Sequence, residues 1–213
     1  MKLPLFAYEE LPSTQDAAKA LKGPGVVWAL RQTAGRGRWG RRWHSPEGGL
    51  WLSVRLEGVE PFRCSVAAAA DLARLAHSLG VTARIKPPND LVVGPKKLAG
   101  VLVEAKGKAV ITGVGLNVNQ VDFPPDLEAT SLRLEAGREF ELGELLEAFV
   151  DGFLELLPEP FGEFNRWALG LGRRVRARGA EGVFGGASPE GFIIDGRPVP
   201  FEALGGFELV PRG

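Results

Sequence analysis

Between Gly35 and Trp43 the chain carries three glycines, four arginines and two tryptophans. No helix interior or strand core has that composition. Glycine lets the backbone turn tightly and approach a ligand closely. Arginine offers a planar fork of donors suited to carboxylate or phosphate. Tryptophan offers a flat apolar face. Arg36, Arg38 and Arg41, with backbone N–H groups freed beside Gly35, Gly37 and Gly40, can close over an anion that carries a ring. A basic surface loop that touches nucleic acid has the same local signature. The longer pattern, running from Gln32 through Trp43, Ser45-Pro46 and Gly48-Gly49, separates the two and favours the lid.

Two further segments hold candidate chemistry. Lys86-Pro-Pro-Asn-Asp-Leu91 is followed by Lys97-Leu-Ala-Gly-Val-Leu102. Lys97 precedes an apolar strand, so its ammonium can emerge at a strand end as a point charge for an oxyanion. Solvated hairpin charges and an Asn89-Asp90 turn explain the same letters. Gly113-Val-Gly-Leu-Asn117-Val-Asn119 places two glycines inside a strand, which marks close approach to the backbone. An amide at Asn117 suits a base edge, or simply ties down the chain after the strand.

The elements that must position these segments are legible in outline. A first strand spans Leu3 to Tyr8, and Ser13 or Thr14 starts a short helix stopped by Gly23-Pro24-Gly25. Val26 to Leu30 is a buried strand that feeds the glycine–arginine loop. Leu50, Leu52, Val54 and Leu56 alternate with Trp51, Ser53 and Arg55, predicting a strand with one core face. Apolar residues at helical spacing predict a helix over Ser65–Leu79, with His77 near its C-terminal end, at the surface or facing the helix dipole. Leu98–Ala105 and Lys108–Val118 read as a hairpin about Lys106-Gly107. Two more helices cover Leu142–Leu157 and Phe161–Leu169. From Gly172 onward, short strand cores at Val175, Val183-Phe184, Phe192–Ile194, Val199 and Phe207 alternate with glycine-rich turns. That texture predicts a small barrel packed on the first unit, because so few residues bury little core alone.

The whole chain excludes several classes. It has 213 residues, 45% hydrophobic and 24% charged, and its 26 basic residues balance 26 acidic ones. A general nucleic-acid binder carries a basic excess. One cysteine and two histidines exclude a disulfide framework and disfavour a Cys- or His-based metal site. The apolar runs are short of a membrane span, and the first residues are too short for a signal peptide. The expected location is the cytoplasm.

Taken together and in order, these segments resemble biotin protein ligase, the biotin–[acetyl-CoA-carboxylase] ligase family. The resemblance rests on Gln32-Thr-Ala-Gly-Arg-Gly-Arg-Trp-Gly-Arg-Arg-Trp-His-Ser-Pro-Glu-Gly-Gly-Leu50, Lys86-Pro-Pro-Asn-Asp90, Lys97-Leu-Ala-Gly-Val-Leu102 and Gly113-Val-Gly-Leu-Asn-Val-Asn119, with Ser13-Thr14-Gln15 before them. Pro87 stands where the family often has Trp, and Gln15 where it has Asn.

The resemblance implies an α+β fold, a mixed and mostly antiparallel sheet packed with helices (class II synthetase-like), over residues 1–171. A small C-terminal SH3-like β-barrel would follow over 172–213. It implies activation of biotin by ATP with Mg²⁺ carried mainly on the phosphates, then transfer of the biotinyl group to one lysine of a biotin carboxyl-carrier protein. By resemblance Arg38, Lys97 and Asp90 are catalytic, with Asp90 orienting or deprotonating the acceptor lysine. Biotin binding falls to Ser13, Thr14, Gln15, Gln32, Gly35, Arg36, Gly37, Arg38, Lys97, Gly100, Gly113 and Gly115. The adenylate falls to Arg36, Arg38, Arg41, Trp43, Lys97 and Asn117. An apolar slot from Leu98–Val101 and Val110–Val114 would take the biotin ring and tail. No helix-turn-helix precedes the motifs, so the expectation is the short monofunctional class, with no DNA and no membrane partner and able to form a homodimer. A lipoate–protein ligase is the related alternative, and an arginine-loop nucleic-acid module the unrelated one.

Overall fold

The computed structural model describes residues 3–211. The chain runs β1 (Leu5–Leu11), α1 (Thr14–Ala20), β2 (Gly25–Gln32), β3 (Leu50–Glu57), α2 (Pro61–Ser78), β4 (Arg84–Lys86), β5 (Asp90–Val93), β6 (Lys96–Lys106) and β7 (Ala109–Leu116). Three helices follow, α3 (Leu132–Ala136), α4 (Leu142–Leu156) and α5 (Phe161–Trp167). Then come β8 (Arg174–Ala177), β9 (Ala180–Ser188), β10 (Gly191–Ile194), β11 (Arg197–Val199) and β12 (Glu208–Leu209).

The first seven strands form one sheet in the order β1-β2-β3-β7-β6-β5-β4. Only the β1–β2 pair is parallel, so the sheet is mixed and mostly antiparallel. The alanine-rich face of α2 lies on one side, where Leu50, Leu52, Val54, Val101, Val110 and Val114 join the main core. The opposite side is half covered by α1, through Ala18, Val27, Ala109 and Ile111. The rest of that side is left for the site.

Both faces of β3 are therefore covered. The alternation predicted one core face, yet Trp51 and Ser53 are as buried as the leucines between them. The reason is tertiary: α1 and the glycine–arginine loop lie over the second face. Helix α2 begins a turn earlier than the apolar spacing indicates, because Pro61 occupies its first turn, where a missing N–H costs nothing. Ser13 takes the cap position of α1 without a side-chain cap bond. Helix α3 was not anticipated; Ser131 caps it, accepting from the Leu134 N–H at 3.2 Å. His77 is half-buried rather than on the surface. Its Nε2 lies 2.8 Å from the Ala83 carbonyl, and its ring stacks on Trp167 at 3.9 Å.

The last five strands make a second, antiparallel sheet ordered β11-β10-β9-β8-β12. The sequence predicted a closed barrel; among the described residues no ladder joins the edge strands β11 and β12, and the sheet is open. It shares its core with the first unit. Phe62 of α2 meets Phe161, Phe192 and Phe201 at 6.1, 5.2 and 6.3 Å between ring centres.

Candidate active site

A cavity of about 410 Å³ opens on the α1 side of the large sheet. Its floor is built from the start of α1 and the middle of β3. Gln32 Oε1 accepts from the Thr14 N–H at 2.8 Å and the Thr14 hydroxyl at 3.1 Å. The Thr14 hydroxyl also lies 2.9 Å from Ser53 Oγ, and Ser53 donates to Gln15 Oε1 at 2.9 Å. Gln15 Nε2 donates to the Leu102 and Ile111 carbonyls at 3.3 and 3.2 Å. Gln32 Nε2 donates to Ser45 Oγ at 2.9 Å. The result is one continuous chain of polar side chains in which Thr14, Gln15 and Ser53 are almost fully buried. A buried network with its partners satisfied is rigid.

Beside this chain the sheet presents bare backbone. Gly100 of β6 stands directly opposite Gly115 of β7, and Gly113 lies two residues along the same face. A Cβ on Gly113 would lie 2.5 Å from Gln15 Oε1, and one on Gly115 would collide with the Trp43 indole. The sequence took these glycines as room for a ligand; the close approach here is made by Gln15 and Trp43. Of the expected apolar slot, Gly100, Val101, Gly113 and Val114 line the cavity, while Leu98, Ala99 and Val110 lie in the core shared with α2.

The glycine–arginine loop closes the cavity as a small hairpin. Trp43 N–H donates to the Gly35 carbonyl at 2.8 Å and Gly37 N–H to the Arg41 carbonyl at 2.7 Å. Two of its cations, and the lysine beneath them, have polar partners. Arg36 pairs with Asp16 at 2.5 Å and reaches Glu104 at 3.8 Å. Arg38 donates to Asn89 Oδ1 at 3.0 Å. Lys97 is paired with Asp90 at 2.8 Å and lies 4.9 Å from the Trp43 ring centre. Asn89 is itself fixed, donating from Nδ2 to the Val101 carbonyl at 2.7 Å.

Arg41 lines the cavity with Ser13, Gly37 and Asn117, and Gly35 shapes the hairpin that covers it. Ser13 lines the cavity without a side-chain cap bond in α1. Asn117 is inward, but its amide nitrogen donates to the Thr130 carbonyl at 2.9 Å and the Lys97 carbonyl at 3.4 Å. Those bonds tie the strand ends together, the second of the two readings open from sequence. Ser53 was missed as a site residue, as was Ser45 behind Gln32, and so was the wall at Gly205, Gly206 and Phe207. Ser53 had a signal: a small polar residue within the otherwise apolar stretch Leu50–Val54. Among the described residues no group of three His, Cys, Asp or Glu could hold a metal ion. Among them too, no helix is long and apolar enough to cross a membrane.

Residues 9–120 match the model of the biotin/lipoate A/B protein ligase family. The bifunctional ligase/repressor BirA of Bacillus subtilis is 34% identical over 210 residues, which cover 85% of this chain and 65% of that protein. The chain thus spans slightly less than two thirds of that relative's length. The biotin–[acetyl-CoA-carboxylase] ligase of Paracoccus denitrificans is 31% identical over 209 residues, 83% of this chain and 86% of that one. In three dimensions the chain is similar to the biotin protein ligase of Aquifex aeolicus in complex with biotin and ATP, at a TM-score of 0.81 and 26% identity over 97% and 99% of the two chains. The family match covers more than half of the sequence and the Paracoccus relative is aligned along most of both lengths, so this chain belongs to the biotin/lipoate A/B protein ligase family, on its biotin-ligase side.

Proposed function

We propose that this chain activates biotin with ATP to biotinyl-5′-AMP and passes the biotinyl group to one lysine of a biotin carboxyl-carrier protein. The observation that carries the reading is the division of the cavity. One side is the neutral polar chain of Thr14, Gln15, Gln32 and Ser53; the other holds Arg38 and Lys97. A ureido ring needs neutral donors and acceptors, and a carboxylate and α-phosphate need cations.

In the first step a biotin carboxylate oxygen bonds to the α-phosphorus and the bond to the leaving pyrophosphate breaks. The carboxylate is already ionised at neutral pH, with an intrinsic pKa of about 4.3 like that of a glutamate side chain. The barrier is the approach of one anion to another, so placed cations supply the catalysis. Lys97 and Arg38 bridge the reacting oxygens; Arg36 and Arg41 hold the outer phosphates; Trp43 packs beside the nucleotide. Magnesium arrives with ATP and balances its phosphates. In the second step the acceptor amine attacks the acyl carbon, AMP leaves, and the amine proton goes to Asp90. That carboxylate sits 2.8 Å from Lys97 Nζ and serves both charges in turn.

The hairpin lid keeps water from the mixed anhydride until the carrier docks. We read the second sheet, open between β11 and β12, as a small SH3-like domain from residue 172, on a catalytic domain of residues 1–171; every strand of that sheet follows Leu171. The enzyme works in the cytoplasm, and exposed Leu5, Phe6 and Tyr8 on edge strand β1 suit a homodimer. Mass spectrometry of a carrier domain incubated with this protein, biotin and Mg-ATP tests the reading. One biotinyl group on one lysine is expected; an unmodified carrier overturns it, and lipoyl transfer under the same conditions moves the assignment to the lipoate ligases.

A further inference from the structure

The tip of the lid does not rest on the catalytic unit alone. Trp39 has φ 62° and ψ 27°, a left-handed conformation that side chains with a Cβ rarely adopt, and Gly40 beside it has φ 72°. The indole is held outward, 60% exposed. Two guanidinium groups face it, those of Arg38 and Arg178, each 5.4 Å from the ring centre. The Arg38 guanidinium also lies over the Phe201 ring at 4.5 Å. Arg178 and Phe201 both belong to the second sheet and its connections.

Those two residues are anchored to one another and to the core. The Arg178 N–H donates to the Gly205 carbonyl at 2.7 Å and the Gly179 N–H to the Ala203 carbonyl at 3.1 Å, so the β8–β9 turn is stapled to the segment that follows Phe201. Phe201 packs on Phe62 and on Phe192, at 6.3 and 6.1 Å between ring centres. A cation over an aromatic face is attracted by the ring quadrupole, and a fixed ring gives a fixed seat.

We propose that Phe201 and Arg178 are positioning residues for the lid. Phe201 seats the Arg38 guanidinium at the cavity mouth, and Arg178 holds Trp39. The C-terminal sheet thereby sets how long the lid stays down over the acyl-adenylate. The retention part of the inference rests on the function proposed above; the seating of the lid does not.

The test has two readouts. In the ligand-free protein, hydrogen exchange at the Gly37 and Trp43 amides reports the lid hairpin. Phe201→Leu keeps apolar bulk but loses the ring face, and Arg178→Ala alters an exposed residue. Each is expected to speed exchange at these two amides roughly fivefold, as the loss of one cation–π contact allows, with β3 amides unchanged and Phe201→Trp restoring protection. Unchanged exchange in both variants overturns the inference, and so does equal acceleration in β3, which marks general loosening. The second readout is the half-life of biotinyl-5′-AMP on the protein, expected to shorten in both variants, with its rate of formation held in Arg178→Ala. A wild-type half-life in both variants overturns the retention role. If the wild-type protein forms no adenylate, the proposed function fails, and the exchange measurement still decides whether the seat exists.

Discussion

The floor and the lid of the cavity use the same kinds of bond in opposite ways. On the floor, Thr14, Gln15 and Ser53 are almost fully buried and bonded to one another or to backbone carbonyls of the sheet. On the lid, Arg36 is 40% exposed and its Asp16 partner 54% exposed. A bond in the first setting is costly to leave unmade, whereas one in the second exchanges readily with water or with a ligand. The floor is a template fixed before anything binds. The lid is a set of cations parked on Asp16 and Asn89 that a stronger anion can take over.

The contrast can be broken or sharpened by substitution. The largest effect is expected at Lys97, which stands between floor and lid. Lys97→Ala should lower biotin-dependent pyrophosphate exchange by about 10³-fold, the scale for removing a group aimed at developing charge, with the melting temperature little changed. Exchange at the wild-type rate would take Lys97 out of the mechanism. Gly115→Ala comes next. Its methyl group displaces the Trp43 indole, and a misplacement of that kind costs on the order of 10²-fold in kcat/KM. Ser53→Ala strikes the floor alone, leaving Gln15 Oε1 without its donor. Titration calorimetry should show biotin affinity reduced about 10-fold or more, since an orphaned buried acceptor costs ~1–3 kcal/mol.

A smaller effect, on stability and not on rate, comes from the helical layer that supports both. Asp71 of α2 is buried beside Arg74 and α4, and burial pushes its carboxyl up from 3.8 to about 7 against the pull of Arg74. The folded protein therefore keeps a proton that the unfolded chain has released. This contribution to stability is full below the unfolded value of 3.8 and is lost as pH rises through about 7. Between about pH 5 and about pH 8 the melting temperature should fall more steeply in the wild type than in Asp71→Asn. Equal slopes would remove Asp71 as the cause. The smallest effect belongs to the lid. Asp16→Asn removes the nearer of the two carboxylates beside Arg36 and should change KM for ATP by no more than about threefold, with the change fading as salt is raised. A Ser53-sized loss from this substitution would abolish the distinction between floor and lid.

Much of this arrangement could be read from the letters. The period-two run located β3, the two apolar runs about Lys106-Gly107 located β6 and β7, and the glycine–arginine segment located the lid. The site residues that were found share one property: their spacing makes sense within a single segment. Those that were missed depend on neighbours far along the chain. Ser53 matters because Gln15 and Thr14 lie across it. The glycines of β7 were noticed and do line the cavity, but nothing local says that Gln15 and Trp43 also lie close against them. Gly205, Gly206 and Phe207 reach the cavity only because the second sheet folds back on α2.

The facing pair Gly100 and Gly115, with Gly113 beside it, has a consequence for how such a site can diverge. A wall of backbone has no side chain to exchange, and added carbon at Gly113 or Gly115 runs into a residue already there. A larger residue at Gly113 or Gly115 therefore displaces Gln15 or Trp43, so a change on this wall is felt on α1 and the lid as well.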